Sequence, residues 1–145
     1  MVKKQLPRGL RNNNPCNIRK SADVFVGEVV PSKDEAFKQF ATLAYGYRAT
    51  FVILYNYQHR YGLDTIAKMV SRFAPSNENH TEAYVDAVAE RSGVSANGRV
   101  TATNGDVMIP IVAAMSFVEN GVETNIADVE KGWKLFIEDF RKHNI

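Results

Sequence analysis

Among the residues able to do chemistry, Glu119 stands out by position. It closes the most apolar segment of the chain, Met108 to Val118, and is followed by Asn120-Gly121. A carboxyl with an apolar floor is desolvated, which raises its pKa toward that of a working general acid, and a helix C-terminus adds to the effect by disfavouring negative charge. Glu28, Asp34 and Glu35 lie in a turn-rich region far upstream, where Glu28 or Asp34 is placed to offer a second carboxylate across a cleft, the layout glycosidases use. Each acid also reads more plainly, Glu119 as a solvated residue before a helix stop and the others as ordinary turn acids. Glu78, in Pro75-Ser76-Asn77-Glu78-Asn79, reads as a charge favouring the start of the next helix. The tyrosines Tyr45, Tyr47, Tyr55, Tyr57, Tyr61 and Tyr84 suit stacking on sugar faces, although tyrosines at helical spacing more often form half-buried core. The chain has no GxxxxGK[ST], HExxH, GxSxG or CxxC motif, and His59, His80 and His143 lack metal-ligand spacing. Neither a metal nor a cofactor is expected.

Composition bounds these readings. A chain of 145 residues with 45% hydrophobic and 23% charged residues is of globular type, and its length favours one domain over residues 1–145. The longest apolar run is eleven residues and contains Pro110, short of the ~20 needed to cross a bilayer. No apolar h-region follows Lys3 and Lys4, so synthesis in the cytoplasm without a signal peptide is expected. The lone Cys16 excludes an internal disulfide. Net charge is +2, yet the first 20 residues hold Lys3, Lys4, Arg8, Arg11, Arg19 and Lys20 and no acid. That predicts a basic arm over about residues 1–10, able to contact a polyanion. The run lacks the interleaved aromatics of single-strand binders, so nucleic acid is not the expected partner.

The elements that must position these groups follow from periodicity. Residues 1–15, with Pro7, Gly9, Pro15 and the run Asn12-Asn13-Asn14, read as arm and loop. Val24, Phe25, Val26, Val29 and Val30 predict short strands around a turn at Gly27. From Thr42 the period becomes helical, with a stripe through Leu43, Tyr47, Phe51, Leu54 and Tyr55 that ends before Gly62. Asp64 is placed to cap a helix carrying Ile66, Met69, Val70 and Phe73, and Asn79 with Glu82 suggests a capping box for the next. The Met108–Val118 segment is apolar nearly all round, as a central helix must be, and stops at Asn120-Gly121. Asn125 is placed to cap a last amphipathic helix through Trp133 and Phe140.

Read together, the residues also carry a resemblance. The stretch from Leu6 to Arg19, Leu-Pro-Arg-Gly-Leu-Arg-Asn-Asn-Asn-Pro-Cys-Asn-Ile-Arg, resembles the opening of small phage and prophage proteins grouped as virion structural protein P5-like and placed with lysozyme-like proteins. Asp34 with Phe37-Lys38-Gln39-Phe40, Tyr45-Gly46-Tyr47-Arg48-Ala49, Arg60-Tyr61-Gly62-Leu63-Asp64-Thr65-Ile66 and the segment Ala74 to Val85 continue the likeness to about residue 90. The sequence departs from that pattern at Cys16, Phe25 and Ala44, where the family carries glycine, tryptophan and an acid. The resemblance implies cleavage of the glycan strand of peptidoglycan. The Asn-Pro-Cys-Asn-Ile segment is similar to one in glucosaminidase-type wall hydrolases, and Ile111 to Gly121 resembles the acid-bearing helix end of lytic transglycosylases.

The expectation is therefore an α+β, mainly α, lysozyme-like domain: a small β-hairpin region first, then about five helices around a central apolar helix that bears the acid, an order permuted relative to those enzymes. The expected function is glycan-strand cleavage by a muramidase or lytic transglycosylase, with Glu119 as acid, Asp34 or Glu28 as second carboxylate, and Asn13, Asn14, Asn17, Tyr45 and Glu78 toward the sugar. The expected partners are peptidoglycan strands and other virion proteins, met after lysis or from the phage particle. The alternatives are a non-catalytic virion or wall-binding protein on the same fold, and a nucleic-acid module using the basic arm.

Overall fold

The computed structural model describes residues 5–75 and 79–143. Along the chain run α1 (Arg8–Arg11), β1 (Glu28–Val29), β2 (Gln39–Phe40), α2 (Leu43–Tyr61), α3 (Ile66–Phe73), α4 (Asn79–Ser92), α5 (Gly105–Asn120) and α6 (Ile126–His143). The protein is thus mainly helical, with a small antiparallel sheet that pairs Glu28 with Phe40 and Val29 with Gln39.

The long helices start and stop where local chemistry dictates. The Thr42 hydroxyl accepts from the Tyr45 N–H, and Gly62 ends α2 in the left-handed conformation (φ 66°). Asn104 accepts from the Asp106 N–H at the start of α5, and Gly121 closes it with φ 68°. The Asn125 side chain accepts from the Ala127 N–H, as expected for the last helix. The α3 cap differs from expectation: it is Thr65, whose hydroxyl accepts from the Lys68 N–H. Asp64 instead pairs with Arg99 and Lys68. The side chain of Asn79, expected as a cap, lies outside the described residues.

Helix α5 is central, touching α1, α2, α4 and α6. Met108, Ile111, Val112, Ala114 and Met115 of α5 are buried with Tyr47, Phe51 and Leu54 of α2, Met69 and Val70 of α3, Val88 of α4 and Phe136 of α6. Helices α2 and α6 make the most extensive contact of any pair. They approach closely because Gly132 has no side chain: a Cβ there would lie 2.5 Å from the Tyr47 Cβ, 2.9 Å from the Ala44 carbonyl oxygen and 3.0 Å from the Arg48 nitrogen. Phe51, Trp133 and Phe136 fill one side of this crossing, with edge-on Phe51–Trp133 rings 4.9 Å apart. Arg48 pairs with Asp139 across the crossing at 2.8 Å.

Two sequence expectations are corrected here. The β-branched residues do not build strands along their length: Val24, Val26 and Val30 are 69%, 53% and 65% exposed, and the ladder takes only two residues from each side. A longer part of the pairing comes from residues 18–20, which run against 36–38 through Lys38 N–H to Ile18 O and Lys20 N–H to Ala36 O. β-propensity reflects a half-buried pleated surface, and these valines have none to cover. The basic arm is also no arm in its described part. Arg8–Arg11 form a helical turn, and Gly9 is buried against Asn14, Asn17 and Asn120.

Replacing Gly132 by alanine tests the α2–α6 approach. Intrinsic propensity favours alanine inside a helix by about 1 kcal/mol, but the two backbone atoms at 2.9 and 3.0 Å cannot yield without separating the helices. The expected outcome in denaturant unfolding is a net loss of about 1–3 kcal/mol.

Candidate functional site

Four asparagines near the N-terminus organise the site. Asn13 and Asn17 adopt left-handed φ values of 52° and 53°, which asparagine tolerates better than most residues. The Asn13 amide donates to the carbonyls of Phe40 and Ala41. Asn14, fully buried, donates to the carbonyls of Ile18 and Lys38 and accepts from the Ile18 N–H. These bonds use each Asn14 amide proton and its oxygen, so the side chain works as a fixed splice between two extended segments. The Asn12 amide goes to Asp34.

Asn17 is the one whose amide points out of this framework. Its Nδ2 donates to the Oε1 of Glu119 at 2.9 Å, joining positions 102 residues apart. Beside it, Asn120 donates to the Pro15 carbonyl at 2.7 Å and to its own helix at Ser116. The C-terminus of α5 is therefore sewn to the loop by two consecutive side chains.

Glu119 lines a cleft of about 590 Å³ together with Asn17, Ile18, Arg19, Phe37, Ile53, Tyr57, Arg72, Phe73, Ala74 and Pro75. Its side chain is half-buried. Burial raises its pKa above the ordinary 4.5, a shift opposed by the Asn17 hydrogen bond, by Tyr84 and by the charge of Arg19. The buried Tyr84 hydroxyl, directed at Glu119, closes no hydrogen bond of good geometry, and desolvation first and Glu119 second push its own pKa well upward. Glu119 is the one carboxylate among the described residues of the cleft lining.

The structure places the other expected site residues elsewhere. Asp34 accepts from Arg8 Nε and Nη2 at 2.6 Å each, from Asn12, and from the backbone N–H groups of Ala36 and Phe37. With that many donors, the hydrogen bond from Arg8 foremost, its carboxyl is held well below the usual carboxylate range. Glu28 meets Lys38, whose side chain is 1% exposed, at 3.0 Å and also accepts from the Phe25 N–H. Both carboxylates are committed to these bonds and lie off the cleft lining, so neither supplies the second acid there. Asn13 and Asn14 hold backbone rather than line the cleft. Tyr45 packs over Gly27, which has φ 79° and no Cβ to obstruct the ring. Glu78 lies outside the described residues. Of the expected set, Glu119 and Asn17 come together.

None of Arg19, Phe37, Arg72 and Phe73 is expected at the site from sequence: Arg19 reads as part of the basic run, Phe37 of the family likeness and Phe73 of the α3 stripe. One signal was available: Asn17 and Arg19 flank Ile18 at a period of two, so an extended backbone that buries Ile18 presents both flanking residues to the same side. Arg72 carries no such signal, since the turn of α3 that aims it is fixed by packing.

Among the described residues no group of His, Cys, Asp or Glu is arranged to hold a metal ion, and no helix is long and apolar enough to cross a membrane. No protein-family model matches the chain. It is 37% identical over 131 residues to Protein P5 of Pseudoalteromonas phage PM2, an alignment covering 88% of this chain and 80% of the relative. The chain belongs to the Protein P5 family. Membership in this phage family agrees with the likeness carried by the Leu6–Arg19 segment, and it is consistent with partners among virion proteins.

Two carboxylates with opposite shifts give opposite pH signatures. The contribution of Asp34 is present above its unfolded pKa of about 4 and is lost as pH falls toward its depressed folded value. Asp34→Asn should thus lower Tm by several degrees at pH 7, and the gap to the parent should narrow below about pH 4. Glu119 has the reverse sign, because ionising it in a desolvated site costs stability as pH rises above about 4.5. Glu119→Gln, which keeps an acceptor for Asn17, should raise Tm at pH 8 by roughly 2 °C and gain nothing at pH 4. Thermal unfolding across pH 3–8 checks both.

Proposed function

We propose that this protein cleaves the glycan strand of peptidoglycan on a lysozyme-like fold, with Glu119 as the general acid. The observation that carries the reading is a half-buried glutamate at the end of the central helix, facing a sugar-sized cleft with its pKa raised by burial. A protonated carboxyl there is suited to give its proton to the glycosidic oxygen as the C1–O bond breaks, stabilising departure of the leaving sugar. Phe37, Tyr57 and Phe73 supply apolar surface along the cleft for the sugar chain.

With Asp34 and Glu28 bound elsewhere, the described lining holds no second carboxylate to activate water or to act as nucleophile. That favours attack on C1 by the 6-hydroxyl of the same sugar. A new C1–O6 bond then replaces the broken one, the hydroxyl proton passes to the Glu119 carboxylate, and the product is a 1,6-anhydro sugar. This is lytic transglycosylase chemistry, with no water consumed and the acid regenerated. In a phage setting the protein would reach the wall after lysis or from the particle.

The test is digestion of purified sacculi followed by mass spectrometry. Anhydro-muropeptides are the expected product, and Glu119→Gln is expected to slow their release by at least ~100-fold. Cleavage by Glu119→Gln at the parent rate would remove Glu119 as the acid, and sacculus binding without any sugar product would point to a wall-binding virion component.

A further inference from the structure

Two arginines, Arg19 and Arg72, line the same cleft as Glu119, reaching it from different elements: Arg19 from the extended segment bridged to Phe37, Arg72 from the last turn of α3. Neither has an acidic partner among the described residues, whereas Arg8, Arg48, Arg91 and Arg99 are each paired with one. Among the described residues their support is aromatic rings alone, whereas Arg8 and Arg91 lie over Phe37 and Phe117 as well as beside an acid. The Arg72 guanidinium lies 3.9 Å from the Tyr61 ring centroid and 5.4 Å from that of Tyr57, and the Arg19 guanidinium lies 4.9 Å from the Phe37 centroid.

This mode of support matters chemically. A ring face orients a guanidinium without neutralising it and leaves its in-plane N–H groups free, the edge that binds a carboxylate through two parallel hydrogen bonds. Guanidinium N–H groups also donate to neutral sugar hydroxyls, but two cations in one cleft without an ion pair favour an anionic group on the ligand. The charge of Arg19 also acts on Glu119, which places the guanidinium on the same side of the cleft as the acid.

We propose that Arg19 and Arg72 form an anion subsite that reads a carboxylate on a side-chain substituent of the glycan and so sets the specificity of the cleft. The proposal rests on the reading of the cleft as a glycan site. The carboxylate belongs either to the lactyl ether of the muramoyl sugar or to the short peptide attached to it. The anion is held as the sugar chain lies along the cleft, which places one sugar in a fixed register relative to Glu119. Chitin-type strands, of the same ring chemistry but without the acid, lack this anchor.

The experiment is calorimetric titration of the full chain, as Glu119→Gln so that ligands stay intact, with three probes: a GlcNAc–MurNAc disaccharide with the free lactyl acid, the same disaccharide with the lactyl group amidated by a dipeptide, and chitobiose. Either acidic probe is expected to bind at least tenfold tighter than chitobiose, with a preference that falls as salt rises. The tighter of the two identifies the source of the carboxylate. Adding Arg72→Gln or Arg19→Gln is expected to cost the acidic probe about tenfold and leave chitobiose binding unchanged, with Arg72→Lys recovering part of the loss. Equal binding of all three probes, no binding of any, or an equal loss for acidic and neutral probes on substitution would overturn the subsite. Digestion of sacculi is read separately. Arginine-dependent binding without product would keep the subsite and refute the chemistry, while anhydro products without carboxylate preference would do the reverse.

Discussion

The clasp between the Asn12–Asn17 loop and the C-terminus of α5 is the constraint on which the site depends. Asn17 bonds to Glu119, Asn120 bonds to Pro15, and Gly9 fits among Asn14, Asn17 and Asn120 where a side chain could not. The two ends of the clasp are about a hundred residues apart in sequence, so its closure requires the whole helical body to be in place. Once closed, it fixes one wall of the cleft against the helix that carries the acid. Its polar groups are nearly all matched, except that the amide oxygens of Asn17 and Asn120 have no hydrogen donor and both close on the space beside the Gly9 Cα.

The acids divide by what surrounds them. Asp34 faces Arg8, the Asn12 amide and two backbone N–H groups, and Glu28 faces Lys38 and the Phe25 N–H. Their charges are compensated in place, and they act as rivets between α1, the 36–38 segment and the loop before β1. Glu119 has one amide donor, a phenol and a more distant guanidinium. Its charge is under-compensated, which distinguishes a group poised to exchange a proton from one that holds structure. A related contrast runs through the arginines: Arg8, Arg48, Arg91 and Arg99 are paired with acids and fasten helices and loops together, while Arg19 and Arg72 line the cleft without an ion pair among the described residues.

Much of the helical body was legible in the sequence. The stripe from Leu43 to Tyr55 marks α2, the all-round apolarity of Met108–Val118 marks the central helix, and the glycines at 62 and 121 mark the ends of these two helices, because 3.6-residue periodicity and left-handed stops are local properties. The sheet was over-read, since a run of valines is equally compatible with an exposed loop. The N-terminal helical turn was under-read, since Asn-rich, Pro-flanked segments carry no periodic signal and Arg8–Arg11 are held by contacts to Asp34 and α5 rather than by propensity.

Composition and spacing by themselves determined that Glu119 ends a buried helix and that the asparagine run has special backbone needs, because burial pattern and chain stop are written within a dozen residues. Which carboxylate stays uncompensated, which asparagine turns toward it, and which arginines are left without an acid depended on side chains brought together across the entire chain. Only the tertiary structure decided those, for a physical reason: compensation of charge is set by what lies within a few ångströms in space, and sequence separation carries no record of that distance.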